Sequence, residues 1–162
     1  NCLSIGSLMG YKGHKKTIEA ISLIDGEKPE FTIIGDGPKY LKEELLNYSK
    51  SVGVKTIIRS NISNIEIRNE FIKSHVYINN AYFEPFGLTS LEAVVSGCLL
   101  VSNDTGGTKE LKKYYPDRVF VCNGSSEEVS NNIKLALTKK KKIPAKNIIF
   151  DWDNVSKRIL SL

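Results

Sequence analysis

The segment Tyr82-Phe83-Glu84-Pro85-Phe86-Gly87-Leu88-Thr89-Ser90-Leu91-Glu92-Ala93 sets two carboxylates eight residues apart. Glu84 falls in a loop and Glu92 about one turn into the helix that follows, so both can face one pocket. Gly87, Leu88 and Thr89 then offer the backbone amides that a helix start leaves unpaired. Those amides suit a phosphate, and ionised carboxylates accept strongly from sugar or ribose hydroxyls. The combination points to a ligand with both phosphate and sugar; the plainer alternative is one exposed loop acid and one helix-surface acid. A second candidate is the stretch 6–13, where Gly6, Gly10 and Gly13 surround Lys12, whose ammonium can face an anion. It contains no Gly-Lys-Ser/Thr and lacks the third glycine of the dinucleotide fingerprint. Gly35-Asp36-Gly37-Pro38 is a third turn that allows close backbone approach, with Pro38 placed for a helix start. Tight-turn chemistry alone accounts for both glycine loops equally well.

These loops need elements to position them. Short apolar, β-rich runs at 2–7, 31–35, 56–59, 76–79, 99–102 and 119–121 read as strands. Between them, 15–24, 40–52, 65–73, 88–96 and 108–113 carry apolar residues three and four apart, as at Ile18, Ile21 and at Leu41, Leu45, and read as helices. After the last strand come 127–137, a lysine run, Pro144 and an amphipathic stretch at 154–162. Strict alternation, with later strands apolar on both faces, predicts a doubly wound parallel six-stranded α/β sheet. In such sheets ligands bind beyond the carboxyl ends of the strands, which confines the chemistry to the loops named above and to 59–64, 103–107 and 123–127.

The length, 162 residues, suits one domain and leaves little room for two cores. The apolar segment follows directly on Asn1, which reads as a piece cut from something longer. No apolar run reaches the ~18 residues of a membrane span, and no signal-peptide pattern opens the chain. Net charge is +5, and Lys139-Lys140-Lys141-Lys142 supply four of it. That run reads as a solvated linker; peripheral contact with an anionic membrane surface is the alternative. There is no aromatic interleaving or recognition helix for nucleic acid. Cys2, Cys98 and Cys122 are odd in number and far apart, unlike a zinc site or a disulfide framework, and fit a reducing, cytoplasmic setting.

Taken in order, these motifs resemble the C-terminal, donor-binding half of retaining glycosyltransferases of family 4, which have the two-domain GT-B fold. The likeness covers nearly the whole chain. It includes the opening glycine and Lys-Gly pair in 6–13, the Gly35-Asp36-Gly37-Pro38 turn, the Glu84 to Glu92 paired-glutamate motif, Ala93, Gly97, Gly106-Gly107 and Glu110. Phe150-Asp151-Trp152 resembles the aromatic-Ser-Trp signature before the last helix. The resemblance implies a Rossmann-like domain that binds a nucleotide-diphosphate sugar such as a UDP- or GDP-sugar. It implies no cofactor and no metal.

The resemblance also implies roles. Lys12 would neutralise the diphosphate with the amides of Gly87, Leu88 and Thr89, and Glu84 would bind the donor-sugar hydroxyls. Lys12 and Glu84 are the catalytic candidates. Glu92 would take the ribose, and Gly6, Phe86 and Ile62 complete the donor-binding set. The acceptor, a glycan, a lipid-linked species or a protein, would enter through an N-terminal domain lacking here. Two positions depart from the family: Ser7 stands where an arginine usually shares the diphosphate, and Ser60 where a glycine is usual. His14 and His75 read as surface or packing residues and Trp152 as a core anchor. Rival readings are a catalytically lapsed nucleotide-sugar binding module, which Ser7 favours, and a GT-B nucleotide-sugar epimerase; a dinucleotide oxidoreductase fits least.

Overall fold

Short apolar runs punctuated by glycine and polar residues form six strands: β1 (Cys2–Ile5), β2 (Phe31–Ile34), β3 (Thr56–Arg59), β4 (Val76–Asn79), β5 (Leu99–Asn103) and β6 (Val119–Cys122). The amphipathic stretches between them form α1 (His14–Ser22), α2 (Lys39–Ser51), α3 (Asn64–Lys73), α4 (Leu88–Val95), α5 (Thr108–Tyr114) and α6 (Ser126–Thr138). The computed structural model describes residues 1–140. The motif Phe150-Asp151-Trp152, the 154–162 segment and the end of the lysine run lie outside them.

All strand pairs are parallel, in the order β3-β2-β1-β4-β5-β6. Parallel strands joined by crossover helices must be covered on both faces, because each face carries apolar side chains. Period-2 alternation divides the core accordingly. Cys2, Phe31, Ile33, Val76, Ile78, Leu99 and Val101 pack with Ile18 and Ile21 of α1, Leu45 of α2 and Val129 and Ile133 of α6. Leu3, Ile34, Tyr77, Leu100 and Val119 point the other way, onto Phe71 of α3, Ala93 and Val94 of α4 and Leu111 of α5. The three cysteines are buried and none is in a disulfide. Among the described residues no helix is long and apolar enough to cross a membrane.

Local chemistry sets several boundaries. Ser63 caps α3 with a full capping box: its side chain accepts from the Glu66 amide, and the Glu66 carboxylate accepts from the Ser63 amide. β1 ends at Ile5, two residues short of the predicted 2–7. The Gly6 amide still donates to the Ile34 carbonyl at 2.9 Å, but the chain then turns off the sheet. It runs through a short 3-10 turn (Gly10–Lys12) and a left-handed Gly13 at φ 70° into α1, which begins one residue earlier than predicted. The strand order reverses direction between β1 and β4. The loops leaving these two strands therefore diverge to opposite faces and open a crevice at the carboxyl edge, the usual binding place in doubly wound sheets.

Candidate functional site

Lys12 reaches this crevice from the β1–α1 loop and Glu84 from the β4–α4 loop. The Lys12 ammonium donates to a Glu84 carboxylate oxygen at 2.7 Å, with the two side chains 19% and 15% exposed. Glycines make the approach possible. The Lys12 stem lies against Gly6, where a Cβ would sit 3.2 Å from its Cδ and Cε. The Tyr82 amide donates to the Tyr11 carbonyl at 2.9 Å and ties the two loops together. From the far side, the Gly107 amide donates to the Phe86 carbonyl at 2.9 Å, and a Cβ at Gly106 would lie 2.5 Å from the Glu84 carbonyl oxygen. The β5–α5 loop thus buttresses the loop that carries Glu84.

α4 begins at Leu88 behind a left-handed Gly87 at φ 86°. Its first amides point out of the helix without intrahelical partners, at the positive end of the helix dipole. Two polar side chains of β4 hold this end in place. The Asn79 amide donates to the Ser90 hydroxyl at 3.1 Å. The buried Tyr77 hydroxyl donates to the Ile5 carbonyl at 3.3 Å and bonds the Thr89 side chain, joining the end of β1 to the start of α4. Burial pushes the Tyr77 phenol well above its ordinary range, so it stays protonated and able to donate. Neither residue was picked out from the sequence. The available signal was a polar atom in a strand otherwise apolar on both faces.

The expected site residues distribute over three adjoining cavities. Gly6, Lys12, Glu84, Phe86, Gly87, Leu88 and Thr89 line one of about 290 Å³. Ile62 lines a second of about 500 Å³ with Asn61, Gly35, Asp36 and Ser7; Ile5 and Gly6 border both cavities. The Glu84 and Glu92 carboxylates both raise the pKa of the Tyr77 phenol, but Glu92 is not among the residues around the Glu84 cavity. It lines a third, about 290 Å³, with Asn64, Arg68, Phe71 and Ser96. The reason is geometric: Glu84 turns back toward Lys12 before Gly87, whereas Glu92 projects from α4 toward α3. Partial burial raises the Glu92 carboxyl above its ordinary value. Ser7 leaves its hydroxyl 3.2 Å from that of Tyr11. The Ser60 hydroxyl donates to the Gly35 carbonyl at 2.8 Å.

His14 is a packing residue. It is 3% exposed, with Nε2 3.0 Å from the Ser7 carbonyl, a geometry that the Nε2–H tautomer satisfies by donating. Burial is the main cause that lowers its pKa below 6.5. A depressed pKa means that the unfolded chain binds the proton more readily, so this residue costs stability as pH falls through 6.5 and below. Urea melts between pH 7.5 and 5 are expected to show stability declining with acidification, and a shallower decline in His14→Gln. Equal slopes in the two proteins would remove His14 as the cause.

A Rossmann-like sheet that opens a cation, an acid and a helix N-terminus at its switch point defines the class: a doubly wound α/β domain with a candidate anion site. Residues 2–148 match the family of glycosyl transferases group 1, and the chain belongs to that family. A curated relative from Arabidopsis thaliana, a phosphatidylinositol N-acetylglucosaminyltransferase subunit, is 24% identical over 95% of this chain, which spans 36% of that protein. Sucrose-phosphate synthase from Thermosynechococcus elongatus superposes with a TM-score of 0.80 at 16% identity, over 99% of this chain and 44% of that one. A trehalose-6-phosphate protein of E. coli bound with UDP-2-fluoro glucose superposes at 0.71 with 16% identity, over 86% and 36% of the two chains. At these identities the structural likeness speaks for the fold, the Rossmann-like C-terminal domain of a GT-B glycosyltransferase.

Proposed function

We propose that this chain is the donor domain of a retaining, family 4 glycosyltransferase, binding a nucleotide-diphosphate sugar for transfer in glycan or glycolipid synthesis. The carrying observation is the convergence of Lys12, Glu84 and the α4 N-terminus on one cavity at the switch point. In this reading the diphosphate lies over the amides of Gly87, Leu88 and Thr89 and takes the Lys12 ammonium. The charge that develops on the departing diphosphate is met by groups already in place, without a metal ion. Glu84 accepts from the sugar hydroxyls. The cavity bordered by Ile62 and Asn61 takes the base, and Glu92, on the α3 side, the ribose. The E. coli neighbour's bound UDP-sugar analogue supports a donor of this chemical class. The Arabidopsis relative makes N-acetylglucosamine the first sugar to try and a phosphatidylinositol lipid the first acceptor. The acceptor would be held by a preceding domain, at a cytoplasmic membrane face.

Calorimetric titration with UDP, GDP and ADP and with their sugar-linked forms, UDP-N-acetylglucosamine included, is expected to show binding of one base series. Lys12→Met should weaken it about tenfold, the loss of one charge-assisted hydrogen bond. Absence of binding at millimolar nucleotide would overturn the donor-site reading. Ser7 specifically favours a second reading, a module that binds the nucleotide but no longer supports transfer. Hydrolysis of donor, or its transfer to lipid, by a longer protein containing this chain separates the two.

A further inference from the structure

Lys12 is the only cation lining either the Glu84 cavity or the Ile62 cavity among the described residues. Its ammonium is already engaged, at 2.7 Å, by a carboxylate that is itself mostly buried. An entering diphosphate must therefore compete with Glu84 for the Lys12 ammonium. A nucleoside diphosphate that carries no sugar then weakens the hold of the partly desolvated Glu84 carboxylate on its cation and supplies no donor in return, which is unfavourable. A nucleotide sugar supplies hydroxyls that donate to the same carboxylate as its hold on the cation weakens. Both loops are fixed by backbone contacts, the Tyr82 amide to the Tyr11 carbonyl and Gly106-Gly107 against Glu84 and Phe86, so the carboxylate stays beside the cation's position.

We infer that the Lys12–Glu84 ion pair is a specificity device that selects nucleotides bearing a sugar and disfavours the bare nucleoside diphosphate. Glu84 acts here by competing for the Lys12 ammonium, in addition to any contact with the sugar. This inference rests on the donor-site reading. For that reaction it means weak inhibition by the leaving nucleotide, because product loses the contact that substrate gains.

The test is calorimetry on the 162-residue chain with UDP, GDP and ADP and with the corresponding glucose-linked nucleotides. The proteins are the wild type, Glu84→Gln, Lys12→Met and the double variant. Glu84→Gln is expected to bind the bare diphosphate about tenfold tighter and to lose the wild type's preference for the sugar-linked form. In the Lys12→Met background the same substitution is expected to change bare-diphosphate affinity by less than about twofold, since no cation remains to be freed. Glu43→Gln, which removes an exposed carboxylate of α2 that lines neither cavity, should leave the preference unchanged. If Glu84→Gln loses its cooperative melt, Glu84→Ala carries the same expectation.

An unchanged or weaker affinity of Glu84→Gln for the bare diphosphate would overturn the inference and leave the donor site standing. An equal gain in the Lys12→Met background would do the same, by reducing the effect to plain charge repulsion. Failure of every protein to bind any of the nucleotides would remove the donor-site reading itself.

Discussion

Gly13→Ala is expected to destabilise the fold by about 3 to 4 kcal/mol, whereas Gly10→Ala, in the same loop, should stay within about 0.5 kcal/mol of the parent. Two costs add at Gly13. Its φ of 70° is left-handed, and a Cβ there would lie 2.0 Å from the Asn80 carbonyl oxygen and 2.8 Å from its carbon. Both are backbone atoms at the end of β4 and have no side-chain rotation by which to move away. At Gly10 a Cβ would meet nothing within 4 Å. Against a total stability of about 5–15 kcal/mol, the Gly13 cost is a large share. Urea melts read at matched m-values check it. A Gly13→Ala protein within about 1 kcal/mol of the parent would show that the loops after β1 and β4 are not in this close approach.

Gly35→Ala should cost about 2 to 3 kcal/mol and weaken nucleotide binding as well. A Cβ at Gly35 would stand 1.8 Å from the Gly6 carbonyl oxygen and 2.7 Å from its carbon. Neither glycine is free to withdraw: the Gly35 amide donates to the Arg59 carbonyl at 2.9 Å and the Gly6 amide to the Ile34 carbonyl at 2.9 Å. The strain is passed on to Lys12, whose stem rests on Gly6. The same substitution therefore reads out twice, in the melt and in the affinity for the nucleoside diphosphate that the parent binds. A loss of stability with nucleotide affinity intact would show that Lys12 is placed independently of Gly6.

Much of the architecture was legible because it rests on local patterns. Phe31–Ile34 and Leu99–Asn103 are apolar on both faces and lie between helical stretches with a three-and-four spacing, which is the signature of buried parallel strands. Strand ends were less legible where the chain leaves the sheet by backbone geometry. β1 stops at Ile5 although apolar residues resume at Leu8 and Met9, because Gly6 and Ser7 turn into the loop over the crevice. The site was legible by parts. The loops after β1 and β4 were identified as holding Lys12 and Glu84, and six of the residues predicted to bind donor join Lys12 around one cavity. The placing of Glu84 in the loop after β4 and of Glu92 about one turn into α4 was legible, but which cavity each lines was not, since a loop and a left-handed glycine lie between them.

By itself the sequence determined the alternation of strand and helix, the glycines where the backbone must turn or approach closely, and the order of motifs that marks a glycosyltransferase domain. Each is set by residue type within a few positions of its neighbours, where steric preference and hydrophobic period act directly. Only the tertiary structure decided that the Lys12 ammonium, 72 residues from Glu84 in the chain, closes an ion pair with it, and that Glu92 lines an adjoining cavity against α3. Those outcomes depend on which strands become neighbours. β1 sits beside β4 through long-range packing, and no local period encodes that choice.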